Sequence, residues 1–344
     1  MNRPATRINP TPRVSVIIPT YRTADLIASC LDSVFAQTYS DFEVVVVNDG
    51  SPDTPELEGV LQPYLNRYNN EQNNDRIVYL KQENKRAAGA RNNAIRHARG
   101  EFVAFLDSDD TWYPHHLGAQ MQLIADDPSL DLVYANASDP AHEQPFMSRC
   151  PSHGPATFDA LIVERCQIPI STVVARKRTL MDAGLFDEGL ARCDDYDMWL
   201  RTAFSGAKIG YSRIVQARLF SDRPGSLSAS EVRMLEAYWC ILEKCKRTLP
   251  LRNSDRAVVE QRAAEIRAQY LVEEGKCKLE ERQFDKAREL LAEANGYLHS
   301  SKLSLALLGL GIAPGATTKL IAFRNWVRSG TKAWAPESEL KEGR

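Results

Sequence analysis

VSVIIPTYRTADLIASCLDSVFAQTYSDFEVVVVNDGS, residues 14–51, decides the fold. Val14 to Ile18 is a short β-branched run. Leu26, Ile27, Cys30, Leu31, Val34 and Phe35 then recur with the 3.6-residue period of a helix. Phe42 to Val47 is a continuous apolar run of the kind a strand carries when both its faces are buried. The stretch therefore predicts strand, helix and strand.

The alternation continues downstream. Leu57, Val60, Leu61, Tyr64, Leu65 and Tyr68 mark an amphipathic helix, and Ile77 to Leu80 a strand. A helix over about Ala87 to Ala98, a strand from Phe102 to Leu106, a helix near His116 to Ala125 and a strand from Leu130 to Tyr134 complete the series. Five strands alternating with four helices predict an α/β fold whose mostly parallel sheet is covered on both faces, with ligands bound beyond the carboxyl ends of the strands. Pro140 to Pro155 reads as a loop, Ser171 to Ala175 as a further strand, and Asp195 to Ala203 as a helix.

Outside this series the chain changes character. Residues 1–12 form a loose, Pro-rich lead, residues 13–230 the α/β domain, and residues 231–344 a helical region broken at Leu249-Pro250. Gly275, Ala287 and Ala294 keep the spacing of small residues in a tetratricopeptide-like helix pair, with Phe284 near the turn. A single copy has no siblings to stack on, so a helix pair packed on the catalytic domain is expected rather than a peptide-binding array.

Composition narrows the class. The 344 residues carry 43 basic and 45 acidic side chains, a net charge of -2, so no whole-molecule field draws in nucleic acid or an anionic membrane, and any anion site must be local. Seven scattered cysteines without a CxxC pair fit reduced thiols and a cytoplasmic location. No apolar signal core opens the chain and no run approaches the ~20 apolar residues of a spanning helix. A soluble or peripherally bound protein is expected.

Three polar clusters fall at strand ends: Pro19-Thr20-Tyr21, Asn48-Asp49-Gly50-Ser51 and Asp107-Ser108-Asp109-Asp110. On one rim, the acidic cluster would repel a nucleotide's phosphates unless a divalent cation, magnesium or manganese, lay between them. Asp and Ser also cap helices, but capping uses one carboxylate. Asp49 suits either a tight turn or acceptance of a pyrimidine imide N–H, and Tyr21 offers a flat stacking surface. Lys85, Arg86 and Arg91 flank a helix start where cations meet diphosphate oxygens; five residues separate Arg86 from Arg91, so one or two of the three touch a ligand, Arg86 first. Cys193 to Arg201, CDDYDMWLR, opens a helix with three acids; one of them is placed to deprotonate an acceptor hydroxyl if that helix end meets the rim.

In this order the motifs VSVIIPTYR (14–22), VVNDGS (46–51), GARNNAI (89–95), FVAFLDSDD (102–110) and CDDYDMWLR (193–201) resemble the family 2 glycosyltransferases over residues 13–228. The resemblance implies a GT-A nucleotide-binding sandwich and inverting transfer from a nucleotide diphosphate sugar, usually a uridine diphosphate sugar, to a glycan or lipid-linked acceptor. By the same resemblance Thr20, Tyr21 and Asp49 would hold the base and Asp107 would touch the ribose region. Asp109 would bind the metal with Asp110 assisting, Arg86 or Arg91 would approach the diphosphate, and Asp195 would be the catalytic base. Many relatives carry a histidine before the Pro-Gly-Ser of a late loop. Here Ser221-Asp222-Arg223-Pro224-Gly225-Ser226 stands, and Arg223 cannot ligate a metal, although it can pair with the leaving diphosphate or leave Asp222 as ligand.

A catalytically lapsed nucleotide-sugar binder with a partner-recruiting tail is the competing reading. A nucleotidyltransferase is a third, against which stands the lack of a Gly-rich phosphate loop. Finally, Ser301 to Ala313 is Leu-rich and is followed by Lys319, Arg324, Trp326 and Arg328, which suits either a core helix or contact with a membrane surface near a lipid-linked acceptor.

Overall fold

The computed structural model describes residues 11–69, 75–139, 156–164, 166–220 and 230–312. The chain divides into two compact units, Met1–Ala229 and Ser230–Arg344.

In the first unit β1 (Val14–Thr20), α1 (Ile27–Phe35), β2 (Phe42–Asp49), α2 (Thr54–Tyr68), β3 (Ile77–Gln82), α3 (Arg86–His97) and β4 (Phe102–Phe105) follow the expected order. Beyond them come β5 (Thr111–Trp112), α4 (His116–Asp126), β6 (Leu132–Ser138), α5 (Phe158–Ile162), β7 (Val174–Arg176), α6 (Lys177–Asp182), α7 (Asp194–Phe204) and β8 (Ile209–Arg218). All eight residues of β2 are buried, as its uninterrupted apolar run requires of a strand covered on both faces.

The eight strands form one sheet in the order β3-β2-β1-β4-β7-β6-β8-β5. The first four strands in that order pair in parallel. The register sets Thr20 beside Asn48 and Asp49 beside Gln82, while the Leu106 amide donates to the carbonyl of Ile17. The polar clusters after β1, β2 and β4 therefore share one rim, where a parallel sheet gathers its ligands.

The second half of the sheet departs from a simple continuation. β7 inserts antiparallel between β4 and β6, and β5 pairs antiparallel with β8, so the sheet is mixed. The stretch read as a strand from Ser171 to Ala175 begins as a 3-10 turn, Ile170–Thr172, and only then enters β7. β8 was not apparent in the sequence: its residues are mostly half-exposed, and the register shifts around Asn136 of β6, so the alternation a strand needs is blurred. Pro140 to Pro155 lies outside the described residues, as does nearly all of the N-terminal lead.

The second unit is helical: α8 (Glu231–Thr248), α9 (Asn253–Glu280), α10 (Phe284–Leu298) and α11 (Ser301–Ile312). Ser230 caps α8 by accepting from the Arg233 amide, and α8 ends ahead of Leu249-Pro250, where the proline ring disfavours further helix. α9 and α10 approach closely because Gly275 faces Leu291: a Cβ on Gly275 would stand 2.8 Å from its Cδ2. Ala287 and Ala294 are fully buried in the same core with Leu271, Leu279 and Leu291. No helix among the described residues is long and apolar enough to cross a membrane.

Candidate active site

The loop after β2 is built from its own side chains. Asn48 donates to Thr54 Oγ1 at 2.8 Å and to the Tyr79 hydroxyl at 3.0 Å, and accepts the Ser51 amide at 2.9 Å. Gly50 takes φ +65°, and a Cβ there would lie 2.8 Å from the Asn84 backbone nitrogen. This is a close approach that only glycine allows. Ser51 and Asp53 then bind each other and the amides of Arg22 and Ala24, tying this loop to the end of β1.

Asp49 stands at the bottom of that rim, almost fully buried. One of its oxygens accepts from the Gln82 side chain at 2.7 Å and from the Lys85 amide at 2.8 Å. Burial nevertheless holds its carboxyl above the usual carboxylate range, these hydrogen bonds opposing the shift. Thr20 is buried and its hydroxyl donates to the carbonyl of Val47, so it staples β1 to β2 and does not face the rim. Tyr21 is 43% exposed, with the Arg22 guanidinium 5.4 Å from its ring centre. Arg86 is exposed at the first turn of α3, in a left-handed conformation at φ 60°.

The acidic loop after β4 splits into two parts. Asp110 turns inward: its carboxylate accepts from the Ser171 hydroxyl at 2.5 Å and from the Phe220 amide at 3.0 Å. Burial, with Asp107 and Asp109 nearby, pushes its carboxyl well above the ordinary range. It holds the chain just ahead of the late loop. Asp107 and Asp109 remain partly exposed on the rim.

Arg91 joins this loop to the acidic helix. Its guanidinium, 5% exposed, donates to Asp107 Oδ1 at 2.7 Å and to Asp194 Oδ2 at 2.8 Å. Two facing carboxylates outweigh its burial and raise its proton affinity further. Arg91 is therefore engaged with two carboxylates, one of them on the rim. Beside it, Asn92 donates to the Phe186 carbonyl at 2.8 Å and to Glu188 at 3.0 Å, and accepts the Phe186 amide at 2.9 Å. Arg91 and Asn92 of GARNN thus fasten the start of α7 and the segment that leads into it.

The three acids of α7 have three different fates. Cys193, at φ 55°, makes the sharp turn into the helix. Asp194 belongs to Arg91, whereas Asp197 is fully buried against Arg201 at 2.7 Å. Asp195 accepts only the adjoining Tyr196 amide, at 2.8 Å, and its other oxygen has no protein partner among the described residues. Its carboxyl is pushed up to about 6, mainly by burial and then by Asp194, with Arg91 opposing. A group poised there titrates near neutrality, as a general base requires.

Among the described residues no group of three or more histidine, cysteine, aspartate or glutamate side chains is set to hold a metal ion. Magnesium and manganese are often held by one or two carboxylates plus substrate phosphates and water. Asp107 and Asp109, two hard oxygen donors at one strand end, fit that pattern. Asp222 and Arg223 lie outside the described residues. Sequence reasoning gave no individual role to Asn92, Asp194, Ser171 and Gln82, although GARNNAI carries the first and CDDYDMWLR the second.

A model of the family described as Glycosyl transferase family 2 matches residues 15–165. The Escherichia coli UDP-Glc:alpha-D-GlcNAc-diphosphoundecaprenol beta-1,3-glucosyltransferase WfgD is 32% identical over 188 residues, which span 54% of this chain and 68% of that protein. Among solved structures, Staphylococcus aureus TarS 1-349 in complex with UDP-GlcNAc superposes with a TM-score of 0.60 at 18% identity, covering 92% of each chain. The mannosyltransferase PcManGT from Pyrobaculum calidifontis, in complex with GDP-Man and Mn2+, does so with a TM-score of 0.61 at 22% identity, covering 95% of this chain and 88% of that one. Both share the GT-A-like α/β fold of this chain.

Proposed function

We propose that this chain, which belongs to glycosyltransferase family 2, moves a sugar from a uridine diphosphate sugar to a hydroxyl of a glycan or lipid-linked acceptor, inverting the anomeric carbon. The single observation behind the inverting reading is Asp195. Of the three acids opening α7 it alone makes no ion pair among the described residues: Asp197 pairs with Arg201, and Asp194 shares one buried guanidinium with Asp107 of the rim. The choice of uridine and of a lipid-linked acceptor rests on the name of the E. coli relative; a place in bacterial envelope polysaccharide synthesis is proposed beside it.

Asp49 is assigned to the base, where its second oxygen accepts the imide N–H, and the exposed Tyr21 ring to stacking. Asp107 and Asp109 would hold a divalent cation, which when bound neutralises charge on the diphosphate leaving group. Arg86 is the exposed cation at the α3 start assigned to the same phosphates. Asp195 takes the proton of the acceptor hydroxyl as that oxygen attacks the anomeric carbon; the bond from that carbon to the diphosphate breaks on the opposite face, and the proton stays on Asp195. The test is transfer from a panel of nucleotide sugars to a lipid-linked acceptor, with and without manganese, with the product's anomeric configuration read by NMR. A retained configuration, or full activity in Asp195→Asn, refutes the reading.

A further inference from the structure

α11 closes the second unit with one face and leaves the other apolar. Leu303, Ala306 and Leu310 are buried against α10 and α9. Leu305, Leu308 and Ile312 point the opposite way, exposed by 64, 61 and 76%. Their spacing of three and four residues makes a single stripe along the helix. Terminal helices of repeat-like stacks ordinarily present a polar outer face, because nothing further covers them. Here the outer face offers Ser301 and Ser304 as its only polar side chains besides Lys302.

Charge indicates what the stripe faces. From Ser301 to Pro336 the sequence contains no acidic residue, while Lys302, Lys319, Arg324, Arg328 and Lys332 are basic and Phe323, Trp326 and Trp334 are aromatic. In a chain of net charge -2 this is a local reversal of sign. On the described residues, Lys302 is exposed at the start of α11, and the guanidinium of Arg288 comes within 3.8 Å of where a Cβ on Gly311 would stand, near its end. An apolar stripe with Lys302 near one end and Arg288 near the other, in a stretch of sequence that stays basic and free of acids to Pro336, matches a lipid interface with anionic headgroups, where apolar side chains enter the acyl boundary and cations remain at the phosphates. A second copy of this chain would bring the same basic groups against themselves.

We infer that the Leu305-Leu308-Ile312 face of α11 is a docking surface for an anionic phospholipid bilayer. It peripherally anchors the chain without spanning, and it stands independently of the sugar-transfer reading. The experiment is co-sedimentation of the full chain with sucrose-loaded vesicles of phosphatidylcholine alone, or with about a third phosphatidylglycerol. The full chain pellets with the anionic vesicles, weakly with neutral ones, and less as salt rises. Changing Leu305, Leu308 and Ile312 together to Gln lowers the partition coefficient by about 100-fold, the factor expected when three side chains each forfeit a partial burial. Lys302→Glu, on an exposed position that leaves the core intact, lowers binding to anionic vesicles by about 10-fold and leaves binding to neutral ones unchanged. The inference is overturned if the full chain stays in the supernatant with anionic vesicles, or if both variants pellet like the parent. It is equally overturned if light scattering finds a dimer that the triple substitution dissociates while vesicle binding is absent.

Discussion

Replacing Arg91 with methionine tests the site where it is most heavily built. The guanidinium is 5% exposed and lies 2.7 and 2.8 Å from Asp107 and Asp194, so its removal leaves two carboxylates facing each other across an apolar gap lined by Phe186. Breaking a buried ion pair by deleting one partner costs about 3–5 kcal/mol. For a unit of this size that is a fall of roughly 10 °C in the midpoint of thermal unfolding. Calorimetry of the full chain should show the shift in the transition of the α/β unit. Asp195 gives a second readout. Arg91 opposes the rise of its carboxyl, so without the arginine the carboxyl rises beyond about 6 and the acid limb of kcat/KM moves to higher pH. Arg91→Lys keeps the charge and returns the limb toward its original place while losing the two-pronged geometry. A midpoint change of less than about 2 °C together with an unmoved limb would refute the argument.

Asp195→Asn abolishes transfer yet stabilises the protein at pH 8. The folded carboxyl, near 6, lies above its unfolded value, so its stabilising contribution is complete below the unfolded value and is lost as pH rises through 6; about 1–3 kcal/mol is recovered in the variant at pH 8 and none at pH 3.5, read by urea unfolding. Asp109→Asn removes most of the extra thermal stabilisation that manganese gives in the presence of a uridine diphosphate sugar, while stabilisation by the nucleotide alone persists; an equal manganese increment in both proteins would contradict the ligand assignment. Gly50→Ala costs about 1–3 kcal/mol and weakens nucleotide binding, because φ +65° and the Asn84 backbone at 2.8 Å leave no place for a methyl group; a neutral unfolding midpoint argues against this.

Much of the first half of the sheet was legible because burial on both faces leaves a direct trace: a strand such as Phe42 to Val47 must be apolar throughout, and the helices between such strands must be amphipathic. The second half was not, because β7 is three residues long and β8 is half-exposed and irregular, so neither carries enough periodicity to be seen. In the site, the motifs put polar clusters at the ends of adjacent parallel strands, which the register bears out, but they did not show which side chains pair with one another. Thr20, Arg91 and Asp110 read as ligand contacts, and each also bonds within the protein: a strand staple, a bridge between two acidic segments, and an anchor for Ser171 and Phe220.

The linear chain determined which residue types stand at the strand ends, and so the family and the rim, since alternation and strand length follow from local periodicity. Which carboxylate faces solvent and which is paired was settled only by tertiary structure. Asp107 and Asp194 lie far apart in the chain, and one buried guanidinium between them, with Arg201 on Asp197, leaves Asp195 as the acid of α7 outside any ion pair among the described residues. Burial and Coulomb interactions depend on distance in space, and that distance appears only when the chain is folded.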